Sequence, residues 1–190
     1  SNEAGIGSAS IAHSAAKTEE PVSEGIVALL EPFVDTVVIC TMTALVIIFS
    51  GFWADQSGVT GVQLTSAAFG SVFPWFPYLL LIAVTLFAFS TLISWSYYGL
   101  KGFDYLVGGW GKKIFGTRKV TNTIFQLFFL GCVIVGASSD MAAVTDFSDM
   151  MILCMAFPNI VGLVILAPEV RRDLISYMKR LKSGEIKKYR

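Results

Sequence analysis

The segment FAFSTLISWSYYG, residues 87–99, carries hydroxyl and aromatic side chains inside a strongly apolar stretch of the chain. Residues three and four positions apart lie on the same face of an α-helix. A helix over this segment therefore collects five such side chains on one face: Ser90, Thr91, Ser94, Trp95 and Tyr98. The adjacent hydroxyls of Ser90 and Thr91 are hard oxygen ligands, which suit an alkali cation better than a softer metal. The alternative is that these hydroxyls bond to carbonyls of their own helix or hold neighbouring helices together.

Two carboxylates, Glu31 and Asp35, lie four residues apart within the first apolar stretch and hence on one helix face. Charged side chains inside a membrane are costly, so they mark ion pathways or proton relays by default. Glu31 precedes Pro32 near the end of the stretch, where it can reach the membrane interface. Asp35 lies deeper, and three roles stay open for it: a structural ion pair, a cavity-lining group or a proton relay.

Enzyme chemistry has little support in the sequence. The one histidine, His13, cannot form a histidine-rich zinc site, and the three cysteines lie inside apolar runs, where they behave as small hydrophobic side chains. The Gly-x-Gly of EAGIGSAS has no third glycine and no preceding strand, so a nucleotide-binding loop is not indicated. We therefore expect neither an enzyme nor a cofactor.

The composition indicates an integral membrane protein, because 54% of the residues are hydrophobic and only 15% are charged. A helix needs roughly 20 apolar residues to cross the hydrocarbon core. Four stretches meet this requirement, namely 26–50, 78–100, 120–138 and 149–168. They are continuously apolar rather than alternating, which favours helices over a β-barrel.

The charges between these stretches predict an orientation. Segments 101–119 and 169–190 are rich in Lys and Arg, whereas 51–77 and 139–148 contain no basic residue. By the positive-inside rule, the two basic segments are cytoplasmic and the other two face outward. We therefore predict a multi-pass protein of the cell (inner) membrane with a cytoplasmic C-terminal tail. Segment 1–25 is then either cytoplasmic or emerges from within the membrane.

The outward connection, 51–77, predicts a short amphipathic helix built on five apolar residues: Val62, Leu64, Ala67, Ala68 and Phe69. Pro74 and Pro77 predict a turn before the next span. We expect this helix to act as a lid on the outer mouth of the protein. The alternative is an interfacial loop anchored on the headgroups by Trp75 and Phe76.

Several stretches resemble a known family of transporters. They are SNEAGIGSASIAHSAAKTEEPVSEGIVALLEPFVDTVVICTMTALVI, LTSAAF, FAFSTLISWSYYG and MAFPNIVGLVILAPEV. The chain resembles, over essentially all 190 residues, the alanine or glycine:cation symporters, also called sodium:alanine symporters, and the SNEAG and WSYYG stretches are the specific ones. The resemblance implies an all-α polytopic membrane protein with the five-plus-five inverted-repeat fold that is shared with neurotransmitter:sodium symporters. In such a fold the substrate binds near mid-membrane beside broken helices.

The resemblance also implies a position within that fold. The chain corresponds to the C-terminal portion, the second repeat, which begins inside the broken sixth helix of the core and runs through the tenth. Segment 1–25 is then the end of the broken helix followed by a cytoplasmic segment, and the N-terminal repeat of the same carrier is the implied partner.

Roles for individual residues follow from the same resemblance. Asn2 in SNEAG corresponds to a residue at the unwound point of the sixth helix that contacts the amino-acid substrate, and the N–H groups of a helix starting just beyond it would suit a carboxylate. Thr91 and Trp95 correspond to substrate-facing positions of the eighth helix, where Trp95 keeps the side-chain pocket small. Ser90 and Thr91 resemble the hydroxyl pair that holds the coupling sodium together with backbone carbonyls.

The expected function is therefore import of small neutral amino acids, such as alanine or glycine, with sodium as the coupling ion and without a cofactor. The expected partners are the amino acid, sodium and the lipid bilayer, with no role for nucleic acid. Two alternatives stay open: a non-transporting membrane scaffold or channel subunit, and a carrier that couples to protons through Asp35.

Overall fold

The computed structural model describes residues 2–54, 58–59 and 61–186. The predicted segments 1–25, 51–77 and 169–190 lie partly outside the described residues. Asp55, the acidic residue of the first connection, also lies outside them. Within the described ranges all regular structure is helical. The helices, in chain order, are α1 (Ser8–His13), α2 (Pro21–Ala28), α3 (Leu30–Pro32), a π-helical stretch (Phe33–Cys40), α4 (Thr41–Ser50), a 3-10 turn (Phe52–Ala54), α5 (Gly61–Gly70), α6 (Phe76–Phe115), α7 (Arg118–Ala137) and α8 (Met141–Ser183).

Four helices of the described chain are long and apolar enough to cross a membrane: Pro21–Ser50, which combines α2 to α4, then α6, α7 and α8. This confirms the expectation of an all-α protein with four long apolar helices. Their apolar faces are almost entirely exposed in the isolated chain. Exposed apolar surface on this scale requires lipid or further protein around the helices.

Two of these helices extend beyond the apolar stretches that predicted them. The helix over 78–100 continues to Phe115, and the helix over 149–168 begins at Met141 and continues to Ser183. The segment 101–119 is therefore helical over most of its length. Apolar patterning marks where a helix can sit in lipid, whereas a helix itself continues until a residue ends it.

The turn between α6 and α7 occupies two residues. Gly116 adopts a positive φ of 70°, a backbone conformation that glycine tolerates. Thr117 then caps α7, with its hydroxyl accepting a hydrogen bond from the Lys119 N–H at 3.3 Å. An ion pair between Arg118 and Asp104, 2.9 Å long, joins the two helices near this turn. These local contacts place the reversal at Gly116 rather than near residue 100.

The described chain divides into two compact units. The first contains Asn2 and Glu31–Tyr97, and the second contains Glu3–Leu30 and the chain from Tyr98 onward. In the first unit, the predicted short helix of the outer connection is present as α5, which packs against α4. The rings of Phe69 and Phe76 stack with their centroids 4.3 Å apart, which fixes the turn between α5 and α6.

In the second unit, α6 and α7 pack closely through glycines and aromatic rings. Phe103 and Phe125 lie 5.1 Å apart between ring centroids, and Gly99 lies against the Phe125 ring. Gly111 is buried and faces Thr121. Small residues at such positions let two helix backbones approach each other, which is how helices associate where no hydrophobic driving force exists between them.

The second unit also contains a long-range ion pair. Both guanidinium nitrogens of Arg180, near the end of α8, donate to the two carboxylate oxygens of Glu20 at 2.5 and 2.8 Å. Glu20 is the residue that precedes α2, and α2 packs on α8. Bidentate pairing of this kind is strong and directional. The chain before the first span is thereby tied to the end of the last helix.

Candidate functional site

The polar face predicted at residues 90–95 lies on α6, in the part of that helix that belongs to the first unit. The helix is continuous through this region, so Thr91 and Trp95 lie one turn apart on the same face and Ser90 lies beside them. Ser90 and Thr91 are exposed and Trp95 is half-buried. The geometry therefore presents two hydroxyls on the helix surface next to a partly covered indole.

The hydroxyls of Ser90 and Thr91 differ from that of Thr85 in the same helix. The Thr85 hydroxyl donates a hydrogen bond to the carbonyl of Leu81 at 2.8 Å. Threonine side chains within a helix commonly bond to a backbone carbonyl of the preceding turn in this way. Among residues 2–54, 58–59 and 61–186, neither the Ser90 nor the Thr91 hydroxyl has a hydrogen-bond partner. Both oxygens therefore remain available to a ligand.

Asn2 lies in the first unit, in the non-helical backbone before α1. Its side-chain amide donates to the hydroxyl of Thr36 at 3.2 Å. The resemblance implied a helix just beyond Asn2, but α1 begins at Ser8 and has six residues. Gly5 and Gly7, with φ of 88° and 99°, hold the intervening backbone in a non-helical conformation. In the sequence, α1 therefore begins six residues after Asn2.

Sequence reasoning missed Asn159, a contact residue in the second unit. Its side-chain amide donates to the carbonyl of Gly5 at 2.9 Å. A methyl group added to Gly7 would lie 3.4 Å from the Asn159 side chain, so these groups are in close contact. The sequence signal that could have pointed to Asn159 is its polar side chain, directly after Pro158 in an otherwise apolar run. Asn159 thus holds the glycine-containing stretch against α8.

A second unpredicted feature is the π-helix over Phe33–Cys40, which contains Asp35 and Thr36. π-helical turns are rare and frequently occur at functional sites. Pro32 directly precedes the stretch; proline has no N–H and crowds the carbonyl one turn earlier, which disturbs the α-helical register at that point. Asp35 is half-buried in this stretch, whereas Glu31 is exposed.

The described residues contain no group of three or more His, Cys, Asp or Glu side chains that could hold a metal ion. Hydroxyl oxygens such as those of Ser90 and Thr91 are ligands of the type that hard ions prefer. Of the residues singled out from the sequence, Ser90, Thr91 and Trp95 share one surface of α6, and Asn2 is joined to Thr36.

Comparison with known proteins identifies the family of the chain. The profile of the Sodium:alanine symporter family matches residues 1–190. The chain is 37% identical, over 169 residues, to the sodium/alanine symporter AgcS of Methanococcus maripaludis, covering 88% of this chain and 35% of AgcS. It is 32% identical, over 186 residues, to the probable sodium/glutamine symporter GlnT of Bacillus subtilis, covering 97% of this chain and 37% of GlnT.

A third relative, the amino-acid carrier protein AlsT of Bacillus subtilis, is 30% identical over 185 residues, which cover 97% of this chain and 37% of AlsT. The chain thus spans little more than a third of the length of these relatives. No solved structure matches the chain significantly.

The family consists of membrane symporters, so the expectation of a multi-pass membrane protein that is not an enzyme is confirmed. The match extends over all 190 residues and agrees with the four apolar helices of the structure. The chain therefore belongs to the sodium:alanine symporter family.

Proposed function

We propose that this chain forms part of a carrier that imports small neutral amino acids together with sodium. The observation that carries the proposal is the pair of exposed, unbonded hydroxyls of Ser90 and Thr91, next to Trp95, in a chain of this family. The names of its relatives agree with it, since AgcS is a sodium/alanine symporter and AlsT an amino-acid carrier. GlnT is named for glutamine, so the choice among amino acids is a separate question.

In this proposal Ser90 and Thr91 supply oxygen ligands to sodium. Hard cations in proteins take about six or more oxygen ligands, so backbone carbonyls and groups elsewhere in the carrier complete the coordination. Asn2, Thr91 and Trp95 contact the amino acid, and the indole of Trp95 limits the size of its side chain. Because Thr91 contacts both ligands, bound sodium preorganises the amino-acid site and raises its affinity for the amino acid. By linkage, the bound amino acid raises the affinity for sodium by the same factor.

The proposed architecture is the inverted-repeat fold in which the substrate binds at mid-membrane beside a broken helix. The non-helical backbone around Gly5 and Gly7 supports this assignment, because an unwound stretch before a short helix is the feature that such a site requires. The chain then contributes the second repeat, and the N-terminal repeat of the same carrier supplies the remaining contacts. The basic segments face the cytoplasm.

The test is alanine uptake by the complete carrier in proteoliposomes at varied external sodium. We expect Ser90→Ala combined with Thr91→Val to raise the sodium concentration for half-maximal uptake by about tenfold or more, since the loss of even one contact worth about 1.5 kcal/mol lowers the affinity about tenfold. Thr85→Val is the matched control, because its hydroxyl bonds to its own helix. Unchanged sodium stimulation in the double variant would contradict the sodium assignment.

Two further outcomes separate the rival functions. Uptake that is indifferent to both Thr91→Val and Trp95→Ala would favour a scaffold or channel subunit over a carrier. Coupling to protons has one specific observation in its favour, the half-buried Asp35 within the π-helix. Uptake driven by a pH gradient without sodium, and abolished by Asp35→Asn, would establish proton coupling instead.

A further inference from the structure

The contact between Asn2 and Thr36 joins two segments that are 34 residues apart in the sequence. The side-chain amide of Asn2 donates to the Thr36 hydroxyl at 3.2 Å, within the first unit. An asparagine amide presents an acceptor oxygen on one side and two donor protons on the other. A partner for one of those protons therefore determines which way the amide faces.

Thr36 bonds differently from most threonines in the α-helices of the described chain. Five of those hydroxyls donate to the carbonyl four residues earlier, whereas those of Thr91 and Thr121 have no partner among the described residues. The five bonds are Thr43 to Ile39, Thr65 to Gly61, Thr85 to Leu81, Thr123 to Lys119 and Thr145 to Met141. Thr36 lies in the π-helix, where the backbone bonds span five residues rather than four, and its hydroxyl accepts a bond from a distant side chain instead.

We infer that Thr36 is a positioning residue for amino-acid binding: presented by the π-helix, it fixes the orientation of the Asn2 carboxamide that contacts the polar head of the amino acid. This inference rests on the proposed function, in which Asn2 contacts the substrate. Thr36 itself does not touch the amino acid. The π-helix thereby acquires a role, since it carries the threonine whose hydroxyl accepts a hydrogen bond from Asn2.

The experiment measures sodium-dependent alanine uptake by the complete carrier in proteoliposomes, with the amount of inserted carrier determined by immunoblot. We expect Thr36→Val, which keeps the shape and removes the hydroxyl, to raise KM for alanine by about 3- to 10-fold, the usual range for one hydrogen bond. Maximal uptake per carrier changes little, because the lost contact supports binding before and during transport alike. Thr36→Ser keeps the hydroxyl and retains a KM close to that of the unmodified carrier.

The matched control is Thr43→Val in the same span. It makes the same chemical change at a threonine whose hydroxyl bonds to Ile39 of its own helix, at 3.0 Å. Thr43→Val leaves KM unchanged if the effect of Thr36→Val comes from Asn2. Equal effects of the two variants would show a general packing role and overturn the inference.

A double-mutant cycle distinguishes failure of this inference from failure of the proposed function. If Thr36 acts through Asn2, adding Thr36→Val to Asn2→Ser raises KM no further than Asn2→Ser alone. If Asn2→Ser raises KM and Thr36→Val does not, the positioning role is wrong and the substrate role of Asn2 stands. If Asn2→Ser leaves alanine uptake unchanged, the substrate role of Asn2 is wrong and the inference fails with it.

Discussion

At the scale of single residues, side chains of the same type have different partners according to the backbone that carries them. The Thr85 hydroxyl is satisfied by its own helix, whereas those of Ser90 and Thr91 have no partner among the described residues. Composition cannot separate these hydroxyls, because all three lie in one apolar helix. Their hydrogen bonding separates them, and this difference supports the proposal that Ser90 and Thr91 are ligands.

A second residue-scale feature is the ion pair between Glu20 and Arg180, which makes the stability of the second unit dependent on pH. The hydrogen bonds from Arg180 hold the pKa of the Glu20 carboxyl below its ordinary value of 4.5, and the positive charge of Arg180 acts in the same direction against partial desolvation. A carboxyl with a lowered pKa in the folded state stabilises the fold above its ordinary pKa. That contribution disappears as the pH falls through the lowered pKa.

We predict that Glu20→Gln lowers the thermal unfolding midpoint of the purified carrier near neutral pH and has a smaller effect in acid. The reason is that glutamine is too weak a partner for Arg180, while acid removes the same ion pair from the unmodified protein. The measurement is the unfolding midpoint of both proteins in detergent between about pH 7 and about pH 3.

Arg180→Lys is the companion variant, because it keeps the charge and loses the bidentate geometry. An effect intermediate between that of Glu20→Gln and none is expected. Parallel pH curves for the unmodified protein and Glu20→Gln would contradict a stabilising role for the pair.

At the scale of helices, the close approach of α6 and α7 depends on Gly111. A Cβ atom at this position would lie 3.0 Å from the Thr121 Cβ and would also collide with the Thr121 hydroxyl. Thr121 is only 4% exposed, and a β-branched side chain has few rotamers in a helix. It therefore cannot move aside, and the helices would have to separate.

We predict that Gly111→Ala destabilises the protein by about 1–3 kcal/mol, the range for overpacking a filled interface. Gly109→Ala, in the same turn of α6, is the control because a Cβ there meets no atom within 4 Å. That variant gains helix propensity of up to about 1 kcal/mol with no collision. The measurement is the unfolding midpoint of both variants, and a Gly111→Ala midpoint at or above that of Gly109→Ala would show that the glycine is not needed for packing.

The sequence alone predicts where the membrane helices lie but not where they end. Runs such as 78–100 predicted membrane helices, because a stretch of that length and hydropathy has few other stable structures in lipid. The continuation of α6 to Phe115 was not predicted, because 101–115 is polar enough to read as a connection and yet contains no proline. Hydropathy measures contact with lipid, and helix ends depend on caps and turns such as Gly116.

The candidate site also has one part that the sequence predicts and one part that it does not. The face of Ser90, Thr91 and Trp95 follows from helical periodicity, so the sequence was sufficient for it. The contacts of Asn2 with Thr36 and of Asn159 with Gly5 join residues 34 and 154 positions apart. No local pattern encodes such pairs, and they become visible only when the chain is folded.

At the scale of the molecule, the described part of the chain has four long helices with exposed apolar faces, and the chain spans little more than a third of its named relatives. Lipid and further protein must cover these surfaces. The proposed orientation places the segments rich in Lys and Arg on the cytoplasmic side, as the positive-inside rule predicts.

We predict that a cysteine at Lys182, in the basic end of α8, reacts with a membrane-impermeant maleimide only after the cells are permeabilised. A cysteine at Val59, in the connection without basic residues, reacts in intact cells. Cys40, Cys132 and Cys154, together with any cysteine in the rest of the carrier, are first replaced by alanine so that only the introduced thiol is labelled. Labelling of Lys182→Cys in intact cells would reverse the proposed orientation.

The length of α8 has a mechanical consequence. At about 1.5 Å per residue its 43 residues measure about 64 Å, roughly twice the 30 Å thickness of the hydrocarbon core. A helix of this length amplifies rotation, because a tilt of about 10° would move a point about 30 Å from the pivot through about 5 Å. Because Arg180, near the C-terminal end of α8, pairs with Glu20, any displacement of that end would also displace the residue that precedes α2.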